Sequence, residues 1–123
     1  MLIYLASPYS HEDPAVRHQR YEAVLNMTAK MILKWELIVY SPIAHNHHIA
    51  LMHEERNESY AFEFWEKFDK KMISRCDELW IYTIDGWKES KGIAAEREFA
   101  LSLGMQIRFI DDNTERIVSY GGN

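Results

Sequence analysis

ELWIYTIDGWKESKGIAAEREFALSLG, residues 78–104, is the stretch whose reading decides the fold. Glu78 to Thr83 is an apolar run of strand length, and Ile84 to Ser90 is a polar loop. From Gly92 to Gly104, Ile93, Ala100 and Leu103 recur at helical spacing, and Gly104 stands where a helix C-cap glycine belongs. Ile107 to Ile110 is again strand-like. Strand, loop, helix and strand in this order form a crossover unit, which joins parallel neighbours in a sheet.

The same alternation continues toward the N-terminus. Leu2 to Ala6 reads as a buried strand opening into Ser7-Pro8-Tyr9-Ser10. Asp13 followed by Pro14 is a helix start, and Val16, Ala23, Met27 and Met31 mark the buried face of a helix running to about Trp35. Leu37 to Tyr40 is a second strand, halted by Ser41-Pro42. Ile43 to Ser59 is rich in His, Asn and Glu and weakly periodic, which predicts a short helix and a loop. Phe62 to Cys76 is an amphipathic helix, with Glu63, Glu66, Lys67, Lys70 and Lys71 on one face and Phe64, Trp65, Phe68, Met72 and Ile73 on the other. Arg116 to Ser119 reads as an edge strand. The expectation is a single α/β domain: a doubly wound, flavodoxin-like or Rossmann-like parallel sheet of about five strands with helices on both faces.

At 123 residues and 47% hydrophobic content, the chain can bury one core but not two. A net charge of -5 without a Lys/Arg cluster argues against binding polymeric nucleic acid, which requires a basic stripe. The single cysteine, Cys76, excludes an internal disulfide and fits a reducing cytoplasm. The start MLIYLASPYS lacks a basic n-region, and nowhere do about 18 apolar residues run together. The expectation is a soluble cytoplasmic protein with no membrane partner.

Two carboxylates break the helical patterns. Asp69 lies one turn from both Trp65 and Ile73, and Glu96 lies on the apolar stripe of the last helix with Phe99 nearby. Buried carboxylates are costly unless paired or protonated, so a chain that keeps two has a use for them. In open parallel sheets ligands gather beyond the carboxyl ends of the strands. The loops there are Ser7 to Asp13, Ser41 to His48 and Ile84 to Lys91. The last one leads into the Glu96 helix, whose N-terminal amides, framed by Ser90 and Gly92, suit a phosphate or carboxylate.

Asp69-x7-Asp77, then Ser90-x-Gly92-x3-Glu96-x3-Ala100-x3-Gly104, with Ile3-Tyr4-Leu5-Ala6-Ser7 at the start, resembles the nucleoside 2-deoxyribosyltransferase superfamily. Within it the chain is most similar to the 2'-deoxynucleoside 5'-monophosphate N-hydrolases, with residues 1–123 as one such domain. The resemblance implies that Glu96 is a nucleophile attacking the anomeric carbon, that Asp69 protonates the departing base, and that Tyr4 orients the Glu96 carboxylate. Serine at position 90, six before the nucleophile, implies a 5'-phosphate held with the helix N-terminus and with Lys91 or Ser7. In the free-nucleoside transferases this position tends to be acidic. The first loop departs from the phosphate hydrolases, which carry a serine one residue later and an arginine soon after. Here Pro8, Tyr9 and Ser10 follow Ser7, leaving Tyr9 as a stacking surface for the base.

Other residues stay open at this point. Asp85 either contacts sugar hydroxyls or belongs to a solvated turn, and Asp77 reads as the start of the third strand. His45 or His48 is placed to hydrogen-bond the base or the phosphate. His53-Glu54-Glu55-Arg56-Asn57 lacks the second histidine of a helical zinc motif, so no metal and no cofactor are expected. The implied partner is a small nucleoside or nucleotide, and family members assemble as homo-oligomers, for which exposed aromatics such as Trp80 and Trp87 are candidates. Two alternatives remain: base exchange between deoxynucleosides, and a nucleotide-binding module without chemistry.

Overall fold

The alternation of strands and helices read from the sequence closes into one parallel sheet. The structure, a computed structural model, describes residues 1–55 and 62–114. Four strands, β1 (Leu2–Ala6), β2 (Ile38–Tyr40), β3 (Glu78–Tyr82) and β4 (Gln106–Ile110), lie in the order β2-β1-β3-β4, all parallel. The sheet therefore has four strands among the described residues rather than about five. The strand expected at Arg116 to Ser119 lies outside them.

Period-two alternation sorts the strand residues onto two faces. Ile3, Leu5, Trp80 and Tyr82 pack with Val24, Met27, Met31 and Trp35 of the first helical segment, α1 (Pro14–Ala29) and its continuation. Tyr4, Ala6, Leu79 and Ile81 pack on the opposite side with Ile73, Ile93 and Ala100 of α3 (Phe62–Ile73) and α4 (Lys91–Ser102). The chain is thus a doubly wound, Rossmann-like α/β fold. Each fully buried Leu or Ile contributes about 1.5–3 kcal/mol relative to exposure. Trp80 belongs to this core at 2% exposure, so it is no candidate for an association surface.

The local starts and stops have identifiable causes. The Asp13 side chain accepts from the Ala15 amide at 2.9 Å and Pro14 follows it, fixing the start of α1. Beyond Ala29 the helix widens into a π-helical turn, Lys30–Lys34, and ends where Glu36 takes φ 57°. At the amino ends of the strands, Asp77 accepts from the Leu2 amide at 2.6 Å. Glu78 holds the buried Arg108 at 2.7 Å and accepts from the Trp80 indole at 2.8 Å, locking β3 to β4. These contacts hold Glu78 below the usual carboxylate range, with Arg108 as the main cause.

Two expectations change. As far as Glu55 the His-rich stretch is one continuous helix of 14 residues, α2 (Pro42–Glu55), longer than the short helix expected. The remainder of that stretch, 56–59, lies outside the described residues. Ser41-Pro42 both ends β2 and starts α2, because the Ser41 hydroxyl oxygen accepts from the Ala44 amide at 3.1 Å and proline occupies the first helical position. In α3, Phe64 and Phe68 are exposed, while Ile73 is fully buried and Trp65, Asp69 and Met72 are partly so. Cys76 is buried and free. Among the described residues no helix is long and apolar enough to cross a membrane.

Candidate functional site

The strand order changes direction between β1 and β3, and at their carboxyl ends lies a cleft of about 680 Å³. One wall is the start of α4, with Glu89, Ser90, Lys91, Gly92 and Glu96. α2 and the first turn of α1 form the other, and Trp65 and Asp69 of α3 close one side.

Alternation sets the centre of the site. Tyr4 is an even position on β1 and faces α3 and α4, where it is fully buried. Its hydroxyl donates to Glu96 Oε2, reaching across from strand to helix. Asp69 comes from α3 into the same space, and its Oδ1 is buried without a partner. Tyr40, paired with Tyr4 in the sheet, lies 5.7 Å from it ring to ring, and its buried hydroxyl is also unpartnered. Neither Arg97 nor Arg108 neutralises Glu96: Arg97 lies over the Phe109 ring and Arg108 is bound to Glu78.

Two carboxyls without a cation between them hold on to protons. Burial is the main cause, lifting Asp69 to about 6 and Glu96 to about 8. The Tyr4 hydroxyl opposes the rise at both, and the charge of Asp69 adds to it at Glu96. Tyr4 itself is raised well above its ordinary value by burial and by Glu96, so it remains a donor. Between about pH 6 and 8 the pair holds one proton and one negative charge. Donation from Tyr4 favours the charge on Glu96, whereas burial of Glu96 favours the proton there, so the pair shares both.

The anion-binding features lie on the α4 side. Ser90 caps α4, its hydroxyl oxygen accepting from the Ile93 amide at 3.1 Å, which leaves its own proton to donate. Ser7, 6% exposed, lines the cleft with an unpartnered hydroxyl. A Cβ at Gly92 would meet only Ser90 Oγ, at 3.7 Å, an ordinary contact. Packing does not require glycine there; its absence of a side chain keeps the cleft open.

Tyr9 reaches the cleft but is held by its hydroxyl to His47 Nδ1 at 2.7 Å. His45 and Asp85 are not brought to the cleft: both are exposed, and His45 packs against Tyr40 and Phe68. His48 is bound to Tyr21 at 3.2 Å. The histidines that line the cleft are His47 and His53. His47 is 5% exposed and stacked 3.9 Å from Tyr21, with burial holding it below the ordinary imidazole value. Glu54, weighed above only for a metal motif, and Trp65, the neighbour of Asp69, also line it, as do Arg17 and Asn46, which carry no signal in the sequence. Among the described residues no three His, Cys, Asp or Glu side chains come together as a metal site.

The chain belongs to a family described as a domain of unknown function, DUF1937, whose model matches residues 1–111. No curated protein matches the sequence.

Proposed function

We propose that the cleft hydrolyses the N-glycosidic bond of a deoxynucleoside 5'-monophosphate, releasing the free base and a sugar 5-phosphate. The observation that carries this reading is the meeting of Tyr4, Glu96 and Asp69 beside an open, sugar-sized space. A carboxylate against the anomeric carbon stabilises an oxocarbenium-like transition state and can collapse onto it as an ester.

As positive charge develops on the sugar it draws the shared negative charge to Glu96, leaving the proton on Asp69. Glu96 then forms the bond to C1' as the C1'–N bond breaks, and the electron pair of that bond leaves with the base, which takes its proton from Asp69. Asp69, now a carboxylate, removes a proton from water, and the hydroxide displaces Glu96 from C1'. The phosphate is assigned to the α4 N-terminus, with the Ser90 and Ser7 hydroxyls and Lys91. Ser7 supports this best, because a buried hydroxyl without a partner lacks a hydrogen bond that a phosphate oxygen would supply.

Chromatography of free base after incubation with deoxynucleosides and their 5'-monophosphates, with and without an acceptor base, tests the reading. Release from monophosphates alone is expected. Base exchange from free nucleosides would instead establish a transferase, and no release by folded protein would leave a binding module.

A further inference from the structure

Arg17 projects from the first turns of α1 into the cleft, on the wall opposite α4. Its Nη1 donates to Glu54 Oε1 at 3.0 Å, and its Nε is buried without a partner. The side chain is 25% exposed, so its position is set by packing rather than by solvent. A guanidinium presents Nε–H and one Nη2–H as a parallel pair of donors. With Nη1 engaged by Glu54, that double edge is the part of Arg17 left for a ligand.

Two chemistries fit a double donor edge: an oxyanion, and the O6/N7 edge of a 6-oxopurine. Glu54 decides between them. It already neutralises Arg17, and it lines the same cleft, so a phosphate dianion bound here would meet a carboxylate. A neutral pair of acceptors meets no such penalty. An N–H next to the purine carbonyl would moreover find an acceptor in Glu54.

Resting on the reading above, we propose that Arg17 and Glu54 select a 6-oxopurine, so that the substrate is a guanine or hypoxanthine deoxynucleotide. Arg17 donates to O6 and N7, and Glu54 accepts from N1–H. The same donors stabilise the negative charge that builds on the purine as the C1'–N9 bond breaks. Adenine, with an amino group at C6, offers N7 alone to this edge.

The test is kcat/KM for the 5'-monophosphates of deoxyguanosine, deoxyinosine, deoxyadenosine, deoxycytidine and thymidine, and for 7-deazadeoxyguanosine monophosphate, with wild type and Arg17→Lys. Lysine keeps the charge and loses the double edge. Wild type is expected to favour the two oxopurines, and Arg17→Lys to lower the guanine-to-adenine ratio by about 10- to 100-fold. The 7-deaza substrate should suffer a comparable loss in wild type and little further loss in the variant. An equal loss across all bases would make Arg17 a phosphate or packing residue and overturn the assignment, as would an unchanged ratio.

Calorimetric binding of deoxyguanosine and deoxyadenosine monophosphates to Glu96→Gln, with and without Arg17→Lys, separates this proposal from the reaction. Discrimination that depends on Arg17 sustains the base assignment even if no base is ever released. Base release without such discrimination overturns Arg17 and leaves the hydrolase reading standing.

Discussion

Glu96→Gln is expected to abolish base release, by on the order of 10⁴-fold or more in kcat, and to stabilise the fold at alkaline pH. The first half follows from the proposed bond to C1', since an amide cannot form the ester. The second follows from linkage. A carboxyl whose pKa rises from 4.5 to about 8 on folding favours the folded state while protonated. That stabilisation is complete below about pH 4.5 and is lost as pH rises to about 8. Glutamine carries no such charge and still accepts from Tyr4. Urea unfolding at pH 5 and pH 9 should therefore show the variant gaining roughly 2–4 kcal/mol relative to wild type between the two. Asp69, also raised, still titrates in the variant, so the comparison with wild type decides. A variant whose stability falls as much as wild type's between pH 5 and pH 9 would refute the buried, uncompensated carboxyl.

Asp69 gives the second large effect, and it shows in the shape of a pH profile. Below about pH 6 both carboxyls are protonated and no nucleophile exists; above about pH 8 both are ionised and no acid remains. Wild-type kcat/KM should be bell-shaped between these limits. Asp69→Asn should fall by about 10²- to 10⁴-fold on nucleotides and lose the alkaline limb, because only the nucleophile still titrates. On deoxyribose 5-phosphate carrying 4-nitrophenol at C1, a leaving group that departs without a proton, the same variant should approach wild type. An equal loss on both substrates would mean that Asp69 positions the substrate and does not protonate it.

The sequence carried the centre of the site further than its walls. Asp69 and Glu96 were legible because each breaks the polarity of its helix, and such a violation is visible without knowing the neighbours. Tyr4, an ordinary strand tyrosine, stood out through the resemblance alone. Their approach to one another then follows from which face each occupies. The opposite wall was not legible, because it depends on α1 packing against α2. Arg17 sits among exposed charges at the start of a helix, and nothing local distinguishes it from His18 or Arg20.

Reading Ser41 to His48 as a loop at the ligand edge has a specific cost. On a helix, residues two apart point about 200° apart, so His45 and His47 cannot serve the same surface. Taken as a loop, the stretch suggested His45 or His48; as α2 it turns His47 inward and His45 out. Ser41-Pro42 was the available signal, since a hydroxyl followed by proline starts a helix as readily as it ends a strand.

The central claim is a covalent bond between Glu96 and the sugar. Acid-quenched protein, taken within the first turnovers on a 2'-fluoro deoxynucleoside 5'-monophosphate whose fluorine slows the release of the sugar, should show by intact mass one added fluorinated sugar phosphate. Peptide mapping should place it on the peptide containing Glu96. Base release without any adduct, or an adduct that persists in Glu96→Gln, would contradict the account.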